Sequence, residues 1–343
     1  MRIGLAHEMS NPAIAARPWS ELWEDHLWLL CESEQLGFDF VAVEEHFFAR
    51  DGHGSAPIAF AASLIQRTSS IRVGSWASIL PLHHPALLAQ EWCILDQLSG
   101  GRTFITVAPG YRQHEYRAFG LNPRTRPSRM EEGFELLTRA LTERVVTHHG
   151  KYWDVEDLEM QPPPLQDPYP VWGAAASIPA AQRAARHKAH LAATSADPAV
   201  YAAYVEELRA QGEDPARYRV SLPFSINVTL EEPDEVWRRN RDLVMHRWAE
   251  ADSYSDQYGD GAFNFGYRDN PDTEARYRAN ELIGNPDQVL SVLDSMRLSI
   301  NLSDVVCIYP PPGVPLRSEA ADSLRLLAKE VLPVIHGWQQ GTA

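Results

Sequence analysis

Cysteine is scarce in this chain of 343 residues, with only Cys31, Cys93 and Cys307. An odd, widely spaced set is neither a disulfide framework nor a zinc-binding spacing, and it fits a reducing cytoplasm. Cys31 and Cys93 fall in helical patterns and Cys307 in a strand, so all three read as core thiols rather than nucleophiles. Positive charge is also short. There are 31 Lys and Arg against 46 Asp and Glu, a formal net charge of −15, with no basic run. A nucleic-acid backbone would be repelled. No apolar run approaches the roughly 18 residues of a membrane span. The N-terminus reads as a strand, Arg2 to Ala6, rather than a signal peptide. The expectation is a soluble, unexported, cytoplasmic protein. Several motifs are missing as well. No G-x-G-x-x-G follows the first strand, and there is no G-x-S-x-G. No H-x-H or H-E-x-x-H occurs. His83-His84 and His148-His149 are adjacent pairs whose side chains point apart, so no metal is expected.

What is present is ordinary globular composition, 44% hydrophobic, arranged in a regular alternation. Short apolar runs read as strands at Ile3–Ala6, Phe38–Val43, Ile71–Leu80, Thr103–Val107, Val171–Ala175, His190–Ala193, Arg219–Leu230 and Asp304–Ile308. Between them lie stretches of helical period, including Ser20–Leu36, Pro57–Arg67, Ala86–Leu98, Arg129–Val146, Ser177–His187 and Asp234–Ala251. Strands separated by helices pair in parallel, and eight of them close into a (β/α)8 TIM barrel. A doubly wound open sheet is the alternative. The chain exceeds the roughly 250 residues of a plain barrel. The surplus is assigned to insertions after strands 4 and 7, the Pro-rich stretch Lys151–Pro170 and the irregular stretch Asp252–Ala279. The second of these reads either as a lid or as a surface loop packed by its own aromatics.

Strand C-termini meet at one mouth of a barrel, which is where chemistry resides. The second strand breaks directly into Glu44-Glu45-His46-Phe47. Two carboxylates beside an imidazole can hold or direct a proton, although a surface ion pair would have the same sequence. The same mouth would receive His7, Glu8, Trp76, Ala77, Ser78, Gly110, Tyr111, Thr194, Ser195 and Tyr309. Phe47, Trp76 and Tyr111 suit a flat ring system. Free backbone N–H groups around Ala176, Ser177 and Ile178, at a helix start, suit a phosphate. Arg129, at the start of another helix, could add a cation. For Ser177 alone, a plain N-cap is the better explanation.

With these residues in place, the chain resembles the bacterial luciferase-like flavin monooxygenases, a family sharing its barrel with coenzyme F420-dependent oxidoreductases. The matching stretches are Leu36-Gly-Phe-Asp-Phe…Glu44-Glu-His-Phe47, Gly74 through Leu80-Pro-Leu-His-His-Pro85, and Leu95-Asp-Gln-Leu-Ser-Gly-Gly-Arg102. Gly110…Glu115…Phe119-Gly120, Pro170-Val-Trp…Ser177 and Gly284-Asn-Pro-Asp287 follow in family order over nearly the whole chain. The resemblance implies a reduced flavin or deazaflavin in the mouth, with a cis peptide at Trp76–Ala77 beneath the ring. It also implies a phosphate near Arg129, Ala176 and Ser177, and His46 beside the ring. The family's adjacent histidine is Glu45 here, its reactive cysteine falls at Ala108, and its phosphate arginine falls at Pro109. Emission from a long-chain aldehyde is therefore not expected.

The resulting expectation is a two-component monooxygenase that takes reduced FMN from a separate flavin reductase and acts on a small organic substrate through a flavin C4a-peroxide. His46 would be the proton donor, with Glu45 or Glu44 setting its protonation. Two alternatives stay open. One is F420-dependent hydride transfer, with Arg112, Arg117, Arg124 and Arg126 either as a basic rim for the acidic F420 tail or as an ordinary solvated loop. The other is a non-catalytic flavin-binding protein. The helices Pro57–Arg67 and Ala86–Leu98 would pair in a homodimer, as in the family.

Overall fold

The short β-branched and small-residue runs form eight parallel strands that close on themselves in the computed structural model, which describes residues 1–54, 56–256 and 272–338. The strands are β1 (Arg2–His7), β2 (Phe40–Val43), β3 (Arg72–Ser75), β4 (Thr103–Ala108), β5 (Val171–Ala175), β6 (His190–Ala193), β7 (Val220–Val228) and β8 (Asp304–Ile308). Each pairs in parallel with its sequence neighbour, and β8 pairs with β1 through Leu5↔Cys307. This is the TIM barrel expected from the alternation, and the open sheet is excluded by that last pairing.

Helices cover the outside: α1 (Trp19–Gln35), α2 (Pro57–Ile65), α3 (Pro85–Ser99), α4 (Arg126–Thr142), α5 (Ile178–Arg186), α6 (Pro198–Ala210), α7 (Pro233–Asp256) and α8 (Pro286–Ile300). Their start and stop signals are local. Pro85 opens α3 at a position where a missing N–H costs nothing, and Gly100 closes it at φ 70°. Leu88, Ala89, Trp92, Cys93 and Leu95 form the buried face between them. Among the described residues, no helix is long and apolar enough to cross a membrane. Cys93 and Cys307 are buried, Cys31 is half-buried, and all three are free.

Three local readings are corrected. The third apolar run is not one strand: it breaks at a cis Trp76–Ala77 peptide, and Ser78–Ile79 then pairs with β4 through Ser78↔Val107. The fourth helix runs from Arg126 to Thr142, not to Val146. Val145–His149 instead pairs antiparallel with Asp154–Glu159, in a hairpin that occupies much of the insertion after β4. Val145 and Val146 prolong the helical apolar pattern in sequence, but Val145, Thr147 and His149 are exposed while Val146 and His148 are buried. That period of two belongs to a strand. After β7, helix α7 continues to Asp256, a helix Thr273–Asn280 follows, and Glu281–Gly284 adds a parallel strand beside β7. The rest of the expected lid lies outside the described residues.

Inside the barrel, aromatic rings lie over glycines of the neighbouring strand. Gly4 is in register with Phe40 and Gly74 with Phe104. A Cβ on Gly74 would sit 2.4 Å from the Phe104 ring, and one on Gly4 would sit 2.3 Å from Phe40. The rings are thus accommodated along the wall. Gly74→Ala should destabilise the fold by about 1–3 kcal/mol, the usual cost of overpacking. Denaturant unfolding measures this, and an unchanged midpoint would contradict the packing argument.

Candidate active site

A cavity of about 310 Å³ opens at the C-terminal ends of the strands. Its lining includes Glu44, Glu45, His46, Trp76, Ala77, Gly110 and Tyr111, all expected at the mouth. Ala108, Ala174 and Ile308 supply apolar wall, and Trp248 a further ring. Gly110 stands at φ 67°, and a Cβ there would lie 2.5 Å from Ile79, so this position needs glycine for both conformation and space. Several expected residues do not line it, His7, Phe47, Ser195 and Tyr309 among them. Ser78 is buried without lining the cavity, and Arg129, Ala176, Ser177 and Ile178 lie outside its lining.

His46 is fixed twice. Its backbone N–H donates to the Gly54 carbonyl, 3.2 Å away, and its Nδ1 lies 3.0 Å from Glu115 Oε1. The same oxygen accepts the Phe47 N–H at 2.9 Å. The partner of His46 is therefore Glu115, not Glu44 or Glu45. The physical reason is that each of the two carboxylates is already taken by a histidine of another segment. Glu44 meets His53 Nε2 at 2.5 Å. Glu45 accepts the Ile79 N–H at 2.5 Å and pairs with His83 Nε2 at 2.8 Å.

Burial decides the protonation states. Desolvation pushes the His46 pKa well down, and Arg112, His53 and His114 push in the same direction. Desolvation raises Glu115 to about 7, although Arg112 and the Phe47 N–H oppose it. When Glu115 is ionised, its Oε1 accepts Nδ1–H, and His46 Nε2 carries a bare lone pair. When Glu115 takes up a proton it can donate to Nδ1, and the imidazole proton moves to Nε2. His46 Nε2 makes no hydrogen bond among the described residues. Near neutrality this pair can therefore offer either a base or an acid at one atom.

Around it runs a network that the motifs did not reveal. His53 Nε2 meets Glu44, and its Nδ1 lies 3.3 Å from Arg112 Nη2. Desolvation works against a second proton on His53, but the Glu44 hydrogen bond and charge outweigh it and raise the pKa. Arg112 Nε also donates to the Tyr111 hydroxyl at 3.2 Å. Of the expected rim arginines, Arg117 and Arg124 are exposed and Arg126 is half-buried, whereas Arg112 is 1% exposed. It belongs to the site and not to a solvated loop. Arg247 of α7 pairs with Glu8 at 2.5 Å and lies 3.5 Å from Glu281. The ligating atoms of Glu8, Glu44 and His53 lie within 4.8 Å of one another. Chain cations already touch two members of this cluster, Arg247 at Glu8 and Arg112 at His53. A signal for His53 was available, since glycines on both sides, Gly52 and Gly54, mark a turn that carries it back to the mouth.

The helices expected to flank a phosphate, α4 and α5, are joined by ion pairs. Glu131 of α4 accepts from Arg183 at 2.8 Å and Arg186 at 3.2 Å, both on α5. Arg129 rests on the Tyr152 and Trp153 rings and donates Nε to the Pro81 carbonyl. It has no carboxylate partner among the described residues. Ser177 occupies the N-cap position of α5, but its hydroxyl makes no capping bond. The plain N-cap reading of Ser177 therefore fails.

The luciferase-like monooxygenase family model matches residues 7–298, and the chain belongs to this family. The chain spans about half the length of curated relatives that it matches at 31–32% identity. Three solved structures show the same fold. Monooxygenase RslO1 from Streptomyces bottropensis is 22% identical, with 97% of this chain and 99% of that one covered and a TM-score of 0.83. The oxygenating constituent of 3,6-diketocamphane monooxygenase from the CAM plasmid of Pseudomonas putida, a Type II Baeyer–Villiger monooxygenase in complex with FMN, is 19% identical, with 97% and 98% covered and a TM-score of 0.72. An F420-dependent secondary alcohol dehydrogenase, in complex with an F420-acetone adduct, is 16% identical, with 97% and 98% covered and a TM-score of 0.73.

The raised Glu115 pKa has a consequence for stability. Between its ordinary value of 4.5 and about 7, the folded state holds a proton that the unfolded state has lost. Stability therefore falls as pH rises through that window. Glu115→Gln should flatten the fall, measured as denaturant midpoint against pH. An unaltered slope would mean that Glu115 titrates normally.

Proposed function

We propose that the chain is a flavin-dependent monooxygenase that uses reduced FMN, delivered by a separate reductase, on a small organic substrate. The observation carrying this reading is His46, half-buried at the mouth, with Nδ1 bonded to Glu115 and Nε2 making no hydrogen bond among the described residues. The site suits the cofactor. Trp76, Ala77 and Tyr111 line the cavity together with the apolar side chains of Ile79, Ala108, Ala174 and Ile308. Arg129 and the N-terminus of α5 offer a cation and backbone N–H groups for the phosphate. Reduced flavin supplies, when bound, the electrons that activate dioxygen. The residues lining the mouth would hold the ring, and His46 Nε2 would give or take the proton that this chemistry needs.

Hydride transfer with F420 is the second reading, favoured by the F420-bound fold neighbour. Burial of Arg112 counts against it, because that guanidinium is held by Tyr111 and His53 inside the site rather than on a rim. Anaerobic titration with FMNH2 and with reduced F420, followed by oxygen, separates the two. Tight FMNH2 binding and oxygen consumption are expected. Selective F420 binding without oxygen reaction would overturn the proposal. His46→Ala should bind FMNH2 as wild type does but lose about 10²–10⁴-fold in turnover, the usual share of a positioned proton donor. Turnover at the wild-type rate would remove His46 from the mechanism.

We also propose a homodimer through α3, where Leu87, Ile94 and Leu98 are 59%, 43% and 55% exposed at helical spacing on one stripe. Ile94→Asp should give a monomer by sedimentation. A wild-type protein that sediments as a monomer would refute the pairing.

A further inference from the structure

A second cavity, of about 220 Å³, lies at the opposite end of the barrel. Residues at or near the N-terminal ends of all eight strands line it, from Arg2 on β1 to Asp304 on β8. It exists because Phe40 and Phe104 lie over Gly4 and Gly74 instead of crossing the lumen. Their rings meet edge to face at 5.7 Å, and Trp76 and Trp172 complete an aromatic chamber with room for a single ring.

Charge at its rim is unbalanced. In a chain of net charge −15, the lining carries three arginines and one acid. Asp304 is already bound to two of them, Arg2 at 2.6 Å and Arg219 at 2.7 Å. Arg72 has no carboxylate partner among the described residues. Its Nη2 donates to the Thr103 carbonyl and to Gln166, and its Nε and Nη1 donate to nothing described. The next acid, Asp96, is engaged behind Gln166 at 2.7 Å. His190, whose Nδ1 accepts the Arg219 N–H at 3.2 Å, keeps its proton on Nε2, a further donor beside Trp172. A free guanidinium edge and a ring N–H at the entrance of an aromatic slot match one ligand chemistry, a carboxylate on a planar ring.

We infer that the lower lumen is a binding site for a small aromatic carboxylate, separate from the chamber at the strand C-termini and divided from it by Trp76, which lines both. Such a ligand would stack on the tryptophans and place its carboxylate on Arg72. The probe is benzoate, with benzyl alcohol as the uncharged control, titrated calorimetrically into the whole protein with and without FMN. Benzoate should bind with one site per chain, indifferent to FMN, and bind at least about ten-fold more tightly than benzyl alcohol, as a charge-assisted bond implies. Arg72→Gln should weaken it by a similar factor. Ser221→Leu, which fills the cavity while leaving Arg72 in place, should abolish it, so that misfolding of one variant does not decide the matter. Absence of saturable binding, full affinity in both folded variants, or a crystal structure with benzoate only above Trp76 would each overturn the assignment.

Discussion

Desolvation governs the mouth of this barrel. Taking a carboxylate out of water is costly unless another group compensates it, and Glu8, Glu44, Glu45 and Glu115 are all nearly or fully buried. They meet it in three ways. Glu44 and Glu45 use imidazoles, Glu8 uses a guanidinium, and Glu115 holds its proton until about pH 7. Of the four, the one that burial raises to about 7 is the one bonded to His46. The site's acid–base capacity is thus a residue of incomplete compensation, which is how perturbed groups come to sit where chemistry happens.

The barrel was legible because it repeats. Eight apolar runs separated by helical stretches leave few topologies, and β8 returning to β1 completes the one expected. The mouth residues were legible for the same reason, since each follows a strand end. What could not be read is pairing between loops. Glu44, Glu45 and His46 are consecutive, and their proximity in sequence suggested mutual contact, yet they meet three different partners from other segments. Arg112 looked like one of several loop arginines. It meets His53 from another loop, a long-range contact that no local pattern encodes. The hairpin after β4 was missed because two valines continued a helical period past the point where the helix ends.

The lumen shows a related economy. Small residues on one strand receive large rings from the next, so the interior is neither a solid plug nor an open pore. Trp76 sits where upper and lower spaces meet, immediately before the cis peptide that breaks the third apolar run. One indole thus belongs to two environments, a polar mouth and an aromatic floor.

The electrostatic wiring of the mouth also bears on how such a protein can diversify. Barrel enzymes are often regarded as a frame carrying independent loops, each free to be exchanged. Here the loop after β1 is joined to α7 through Glu8 and Arg247, and the loop after β2 to the one after β4 through His46, His53, Arg112 and Glu115. Grafting any one of these segments from a relative would strand a buried ion on the others. Inheritance should therefore act on them in pairs, and the freedom to change specificity is left to the segments that carry no part of the network.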